Sequence, residues 1–110
     1  MGWSMSAKTL YERLRGGEAL TVIDVRLGKV GEIPGAVHVP VTDLEDDPRS
    51  WPEDRDLVVF CQHGGGGSIY AAEVLAEQGY SRVYVLEGGL DAYLEVAVEK
   101  AGDQPSTHSS

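Results

Sequence analysis

Leu57-Val58-Val59-Phe60-Cys61-Gln62-His63-Gly64-Gly65-Gly66-Gly67-Ser68, running on into Ile69-Tyr70-Ala71-Ala72-Glu73-Val74-Leu75, decides how this chain folds. The apolar, β-branched run before the cysteine has the composition of a strand buried on both faces of a parallel sheet. Four consecutive glycines follow the Cys61-Gln62-His63 step. Ser68 then opens a segment with apolar residues at helical spacing: Ile69, Ala72, Leu75 and Ala76. Strand, tight loop and helix put Cys61 at the carboxyl end of a strand, where open α/β sheets bind ligands. The N–H groups and dipole of the helix point back at the loop and favour negative charge there. Glycine tolerates φ > 0, so the loop can turn successive N–H groups inward as an anion nest. Both effects favour a thiolate. A lone buried cysteine is also an ordinary small core residue, but a mere turn has little use for so many glycines, each of which adds unfolded-state entropy.

Working outward, Gly2 to Met5 reads as a short first strand or an irregular lead-in. Ser4 or Ser6 caps a helix over about Ala7–Arg15, with Leu10 and Leu14 on one face, and Gly16-Gly17 stops it. Leu20–Val25 is the next strand, Gly31–Gly35 a turn, and Ala36–Val39 a short strand closed by Pro40. Thr42-Asp43-Leu44-Glu45 has capping-box spacing and predicts a one-turn helix. Asp46 through Asp56, with its prolines and Trp51, reads as a surface loop. Beyond the central unit, Gly79 ends the helix, Arg82–Leu86 is a strand, Glu87-Gly88-Gly89 a turn, and Leu90 to about Lys100 a last helix. Alternating strands and helices predict a single α/β domain over residues 1–100, with a mostly parallel sheet and helices on both faces. The small polar residues 101–110 read as a flexible tail.

The net charge of −9 excludes a basic nucleic-acid footprint. No apolar run reaches the roughly 20 residues of a membrane span. One cysteine excludes an internal disulfide framework and fits a reducing, cytoplasmic setting. The single cysteine and scattered histidines lack metal-ligand spacing, so no metal or other cofactor is expected. His38 reads as a satisfied structural residue. Asp24 and Arg26 follow a neighbouring strand into the same crevice, as an ion pair or loop anchor.

Four motifs in order make the chain similar to the rhodanese domain over nearly its whole length. Asp24-Val25-Arg26 resembles that family's strand-end motif. Gly31-Glu32-Ile33-Pro34-Gly35-Ala36 with Pro40 resembles its Gly-His-Ile-Pro-Gly-Ala segment. Phe60-Cys61 with Gly64, Ser68 and Ala71-Ala72 resembles its active-site strand, loop and helix. Val83 through Gly89 resembles its last strand and double glycine. The resemblance implies a five-stranded fold and sulfur transfer through a persulfide on Cys61, with Gln62, His63, Gly64, Gly65, Gly66, Gly67 and Ser68 forming the substrate loop and Asp24 and Arg26 supporting it. The implied partners are a small sulfur-donor anion or persulfide, a thiol acceptor and a sulfur-relay protein, with the chain a monomer or weak dimer.

Three departures stand out. Glu32 replaces the family's histidine, Tyr93 stands where tryptophan is frequent, and no arginine lies in the loop. Matching Ser68 to the family's serine puts the arginine position at Gly67 in a loop one residue longer than usual. The common loop length would put it at Gly66. Loss of that guanidinium removes bidentate recognition of an oxyanion such as thiosulfate, worth a few kcal/mol or about two orders of magnitude in rate. His63 is either an exposed loop residue or a substitute cation, and Ser68 reads first as a helix N-cap. Two other functions remain open: a phosphatase or arsenate reductase of the same superfamily, favoured by the longer loop, and a non-catalytic module that binds an anion or partner.

Overall fold

The computed structural model describes residues 3–28, 33, 35–46 and 50–102. At its centre lies β4 (Leu57–Phe60), four apolar residues with every side chain buried. A strand has two faces, so an uninterrupted apolar run needs cover on both. Leu57 and Val59 face one side, beside Ile23, Val25, Leu44, Trp51, Val74 and Leu75. Val58 and Phe60 face the other, beside Met5, Leu10, Val22, Leu86, Leu90 and Tyr93. The remaining strands are β1 (Trp3–Met5), β2 (Thr21–Asp24), β3 (Val37–His38) and β5 (Val83–Leu86). They form one sheet in the order β1-β5-β4-β2-β3, and every pairing is parallel. The expected mostly parallel sheet is therefore entirely so.

Helices α1 (Ala7–Arg15) and α4 (Gly89–Gly102) cover one face, and α2 (Val41–Leu44) and α3 (Gly66–Glu77) the other. The Ser6 hydroxyl caps α1 by accepting the Thr9 N–H at 3.1 Å. After β2 the chain leaves toward β3; after β4 it leaves the opposite way toward β5. The carboxyl ends of β2 and β4 therefore flank a topological switch point, the usual ligand crevice of open α/β sheets.

Several boundaries differ from expectation. α3 begins at Gly66 and not Ser68, with Gly65 as its N-cap. α2 begins at Val41 after Pro40, so Thr42 lies inside it, and no side chain caps it. Proline supplies a ready helical entry there, which the Thr-x-x-Glu pattern masks. Trp51 is 7% exposed, so the predicted surface loop sends its largest residue into the core, with its N–H donated to the Tyr80 hydroxyl at 2.9 Å. α4 carries on through Gly102, taking in two residues expected in the tail. The rest of that tail, 103–110, lies outside the described residues, as does most of the expected turn at 31–35. Among the described residues, no helix is long and apolar enough to cross a membrane.

Away from the crevice, Asp56 precedes β4 and is 7% exposed. Its carboxylate accepts hydrogen bonds from Arg13 and Arg82, both at 2.8 Å. Burial pushes this carboxyl up, but the two guanidiniums outweigh it and hold it below the ordinary carboxylate value. A depressed pKa stabilises the fold above the unfolded value of about 3.9, and the gain is lost as pH falls through the folded value. Asp56→Asn should therefore cost about 2 kcal/mol at neutral pH. The gap to the parent protein in urea melts should shrink below about pH 4. An equal gap at both pH values would rule out charge pairing as the cause.

Candidate active site

Cys61 follows β4 directly and is partly buried. The Gly65 N–H donates to its Sγ at 3.1 Å. The Ser68 hydroxyl lies 3.5 Å from Sγ and donates to the Gly65 carbonyl at 3.0 Å. Burial pushes the thiol up, but the Ser68 hydroxyl and the N–H groups of Gly65, Ser68 and His63 outweigh it, and the pKa lies below the ordinary cysteine value. A sulfur anion in this position meets neutral, oriented donors at the start of a helix. Among the described residues, no group of three His, Cys, Asp or Glu is placed to hold a metal ion.

The glycine run divides into different roles. Gly64 alone of the four has a left-handed φ, +78°. A Cβ on Gly64 would meet the Gly88 nitrogen at 2.8 Å. Gly65 is extended, and Gly66 and Gly67 form the first turn of α3. Cβ atoms on Gly65, Gly66 or Gly67 would meet nothing within 4 Å. The nest is thus one left-handed turn joined to a helix N-terminus. Ser68 is not the cap but sits inside the first turn, fully buried, with its hydroxyl toward the sulfur.

The loop is held from outside by α4. Leu90 and Asp91 donate their N–H groups to the carbonyls of Cys61 at 2.9 Å and Gln62 at 3.1 Å. These are first-turn helix N–H groups with no partner within their own helix. So close an approach requires Gly89, where a Cβ would lie 2.4 Å from the Cys61 oxygen at φ +64°. The double glycine hints in sequence at a close backbone approach, but not at which segment approaches.

A chain of polar side chains crosses the crevice. Asp24 grips Arg26 through Nε at 2.9 Å and Nη2 at 2.6 Å, and both residues are buried. Arg26 donates through Nη1 to Gln62 Oε1 at 3.0 Å and lies over the Phe60 ring at 5.7 Å. Gln62 donates to Asp91 Oδ1 at 2.6 Å. Asp91 Oδ2 lies 2.5 Å from Nδ1 of His63, which is largely exposed. His38 Nε2 meets the Arg26 carbonyl at 2.8 Å. Gln62 and His63 therefore direct their side chains to the frame around the loop. Asp91 escapes sequence reading because an acidic residue in a first helical turn is commonplace.

The two kinds of glycine should respond oppositely to alanine. Gly89→Ala forces a Cβ into three backbone atoms at positive φ and should cost about 2–4 kcal/mol. Gly66→Ala has open space and helical geometry, and should be neutral or stabilising by up to about 1 kcal/mol. Urea melts of both variants check this; similar effects at the two sites would refute the clasp.

The comparisons with known proteins agree with this geometry. The rhodanese-like domain family model matches residues 6–95. A sulfurtransferase of Allochromatium vinosum is 33% identical over 92 residues, covering 81% of this chain and 85% of that protein. The crystal structure of a rhodanese-related protein from Thermoplasma volcanium superposes with a TM-score of 0.71 at 30% identity, covering 84% of this chain and 91% of that one. A NAD-dependent persulfide reductase from A. fulgidus matches at 26% identity and a TM-score of 0.67, covering 84% of this chain but 16% of that much longer one. With a parallel sheet, a cysteine at the switch point and a family match over most of its length, the chain belongs to the rhodanese-like domain family.

Proposed function

We propose that the chain is a sulfurtransferase or sulfur carrier that moves sulfane sulfur through a persulfide on Cys61. The observation that carries this reading is a cysteine sulfur facing the Gly65 N–H at 3.1 Å at the mouth of α3. The thiolate attacks the outer sulfur of thiosulfate; the Sγ–S bond forms, the donor's S–S bond breaks, and sulfite leaves with the electron pair. The persulfide anion then occupies the space in front of the α3 N–H groups. A nucleophile such as cyanide or a thiolate takes its outer sulfur and regenerates the Cys61 thiolate.

Phosphoryl or arsenyl chemistry has less support. It depends on charge clamping of equatorial oxygens, and residues 61–68 contain no arginine or lysine. Incubation with thiosulfate should add one sulfur atom to the protein by mass spectrometry, and cyanide should remove it as thiocyanate. Cys61→Ser should abolish both. A native protein that never acquires sulfur from thiosulfate or any persulfide donor would overturn the proposal.

The thiol itself gives a second test. A pKa below the ordinary value means that thiolate persists to lower pH, so the alkylation midpoint should fall below about 8.5. Ser68→Ala should move it upward. A midpoint at or above the free-cysteine value would defeat the role given to the N–H groups.

The missing arginine gives a third. Neither Gly66 nor Gly67 has a left-handed φ, and each has room for a side chain. Backbone strain therefore does not confound Gly67→Arg or Gly66→Arg. A guanidinium over the site should raise thiosulfate kcat/KM by up to about a hundredfold, or about 1–3 kcal/mol. If both variants keep the parent melting temperature and neither gains, the arginine's absence does not limit turnover. A persulfide donor, whose leaving thiol needs no charge clamp, would then be favoured.

A further inference from the structure

Along α3, an open groove of about 800 Å³ runs between that helix and the β5–β1 edge of the sheet. Val83 and Val85 of β5 lie along it, with Ile69, Ala72 and Ala76 on the α3 side and Tyr80 at one end. Trp3 and Ser4 of the edge strand border it. Trp3 and Ile69 are 50% and 51% exposed, two of six large apolar residues left so open among the described residues. An apolar concavity of this kind with large exposed side chains marks an interaction surface more often than idle surface. The charged residues lining it are Glu73 and Glu77. Glu45 hydrogen-bonds the neighbouring Tyr70 phenol and, with the charges of Glu77 and Glu73, pushes it up, so the outer face of α3 is strongly negative. Arg82, close by, is held by Asp56 at 2.8 Å. Ile69, which lines the groove, shares the first turn of α3 with Ser68, whose hydroxyl lies 3.5 Å from the Cys61 sulfur.

We propose that this groove docks a protein partner through a segment with an apolar face and basic flanks, and that the partner's thiol or persulfide thereby reaches Cys61. Charge decides the occupant. A second copy would bring two acidic rims together on chains of net charge −9. Residues 103–110, Asp-Gln-Pro-Ser-Thr-His-Ser-Ser, offer no large apolar side chain to fill it. A basic segment gains from both the apolar floor and the glutamate rim. In the transfer, the Cys61 thiolate attacks the terminal sulfur of the partner's R–S–SH. The Sγ–S bond forms as the partner's S–S bond breaks, the electron pair leaves on the partner's thiolate, the proton stays on the transferred sulfur, and no net oxidation occurs.

The binding arm of the test is independent of sulfur chemistry. Two amphipathic helical peptides, one leucine–lysine and one leucine–glutamate, are titrated into ¹⁵N-labelled full-length Cys61→Ser protein. The lysine peptide should shift the amides of Ile69, Ala72, Ala76 and Val85, the glutamate peptide should not, and the Glu73→Lys/Glu77→Lys variant should reverse the preference. Equal shifts with both peptides, shifts centred elsewhere, or dilution-dependent self-association through these amides would overturn the proposal. The loading arm rests on the sulfur-transfer reading. The same peptides carrying a terminal cysteine persulfide should load native Cys61 with a KM about tenfold lower for the lysine form, at unchanged kcat. Peptide binding at the groove without that KM advantage would overturn the link to Cys61. Failure of every donor, free cysteine persulfide and thiosulfate included, would sink the sulfur-transfer reading and leave the docking result to stand on the shifts.

Discussion

The N–H groups of Leu90 and Asp91 take the carbonyls of Cys61 and Gln62, and the geometry of the loop follows from those two hydrogen bonds. In a trans peptide the C=O and N–H point in opposite directions. Carbonyls turned toward α4 therefore leave the loop's N–H groups free to turn toward the sulfur. Gly64 and Gly89 allow the two segments to come this close, because a Cβ at either would meet backbone that cannot move aside. The clasp also makes the site depend on distant packing. Its position is set by Leu90 and Tyr93, which are buried beside Leu10, Phe60 and Leu86.

A second tie crosses the switch point. Asp24 neutralises the buried Arg26 charge, which would otherwise be costly. Arg26 then orients Gln62, and Gln62 reaches Asp91. β2, the loop after β4 and the start of α4 are thereby joined by side chains as well as by backbone. In this arrangement charge serves position, while the groups that lower the Cys61 pKa are a neutral hydroxyl and backbone amides. The rigidity costs little recurring entropy, since Arg26 and Asp24 are already ordered by burial.

What could be read in the sequence follows the range of the forces involved. Leu57–Phe60 reads as a buried strand because the run is apolar, rich in valine and bounded by a glycine loop, too short for a helix. A capping serine, Ser4 or Ser6, marks the start of α1 in sequence because the cap bond is local, and the structure gives the cap to Ser6. The start of α3 is hidden in the sequence because two glycines are poor helix formers on their own; Gly66 and Gly67 are helical because the following apolar face of α3 packs on the sheet. Trp51 reads as a surface residue because proline-rich polar neighbours hide a single side chain that tertiary packing takes inward. The cysteine and its loop were legible; the Gln62–Asp91 bond was not, because it joins residues 29 positions apart with no periodic signal.

On the proposed sulfur-transfer reading, a bare glycine loop would suit a carrier more than a scavenger of small oxyanions. Thiosulfate brings two negative charges to a chain of net charge −9, and the sulfite it releases keeps them. Three unencumbered positions, Gly65 to Gly67, present amides without side chains. Amides of this kind stabilise a compact sulfur anion at close range and supply little long-range attraction, because a dipole's field falls off faster than a charge's. The cysteine's immediate surroundings therefore favour a sulfur anion held at close range. Attraction from a distance must come from elsewhere on the surface, and on the proposed docking the acidic rim of Glu73 and Glu77 would exert it on a basic segment and withhold it from a free anion.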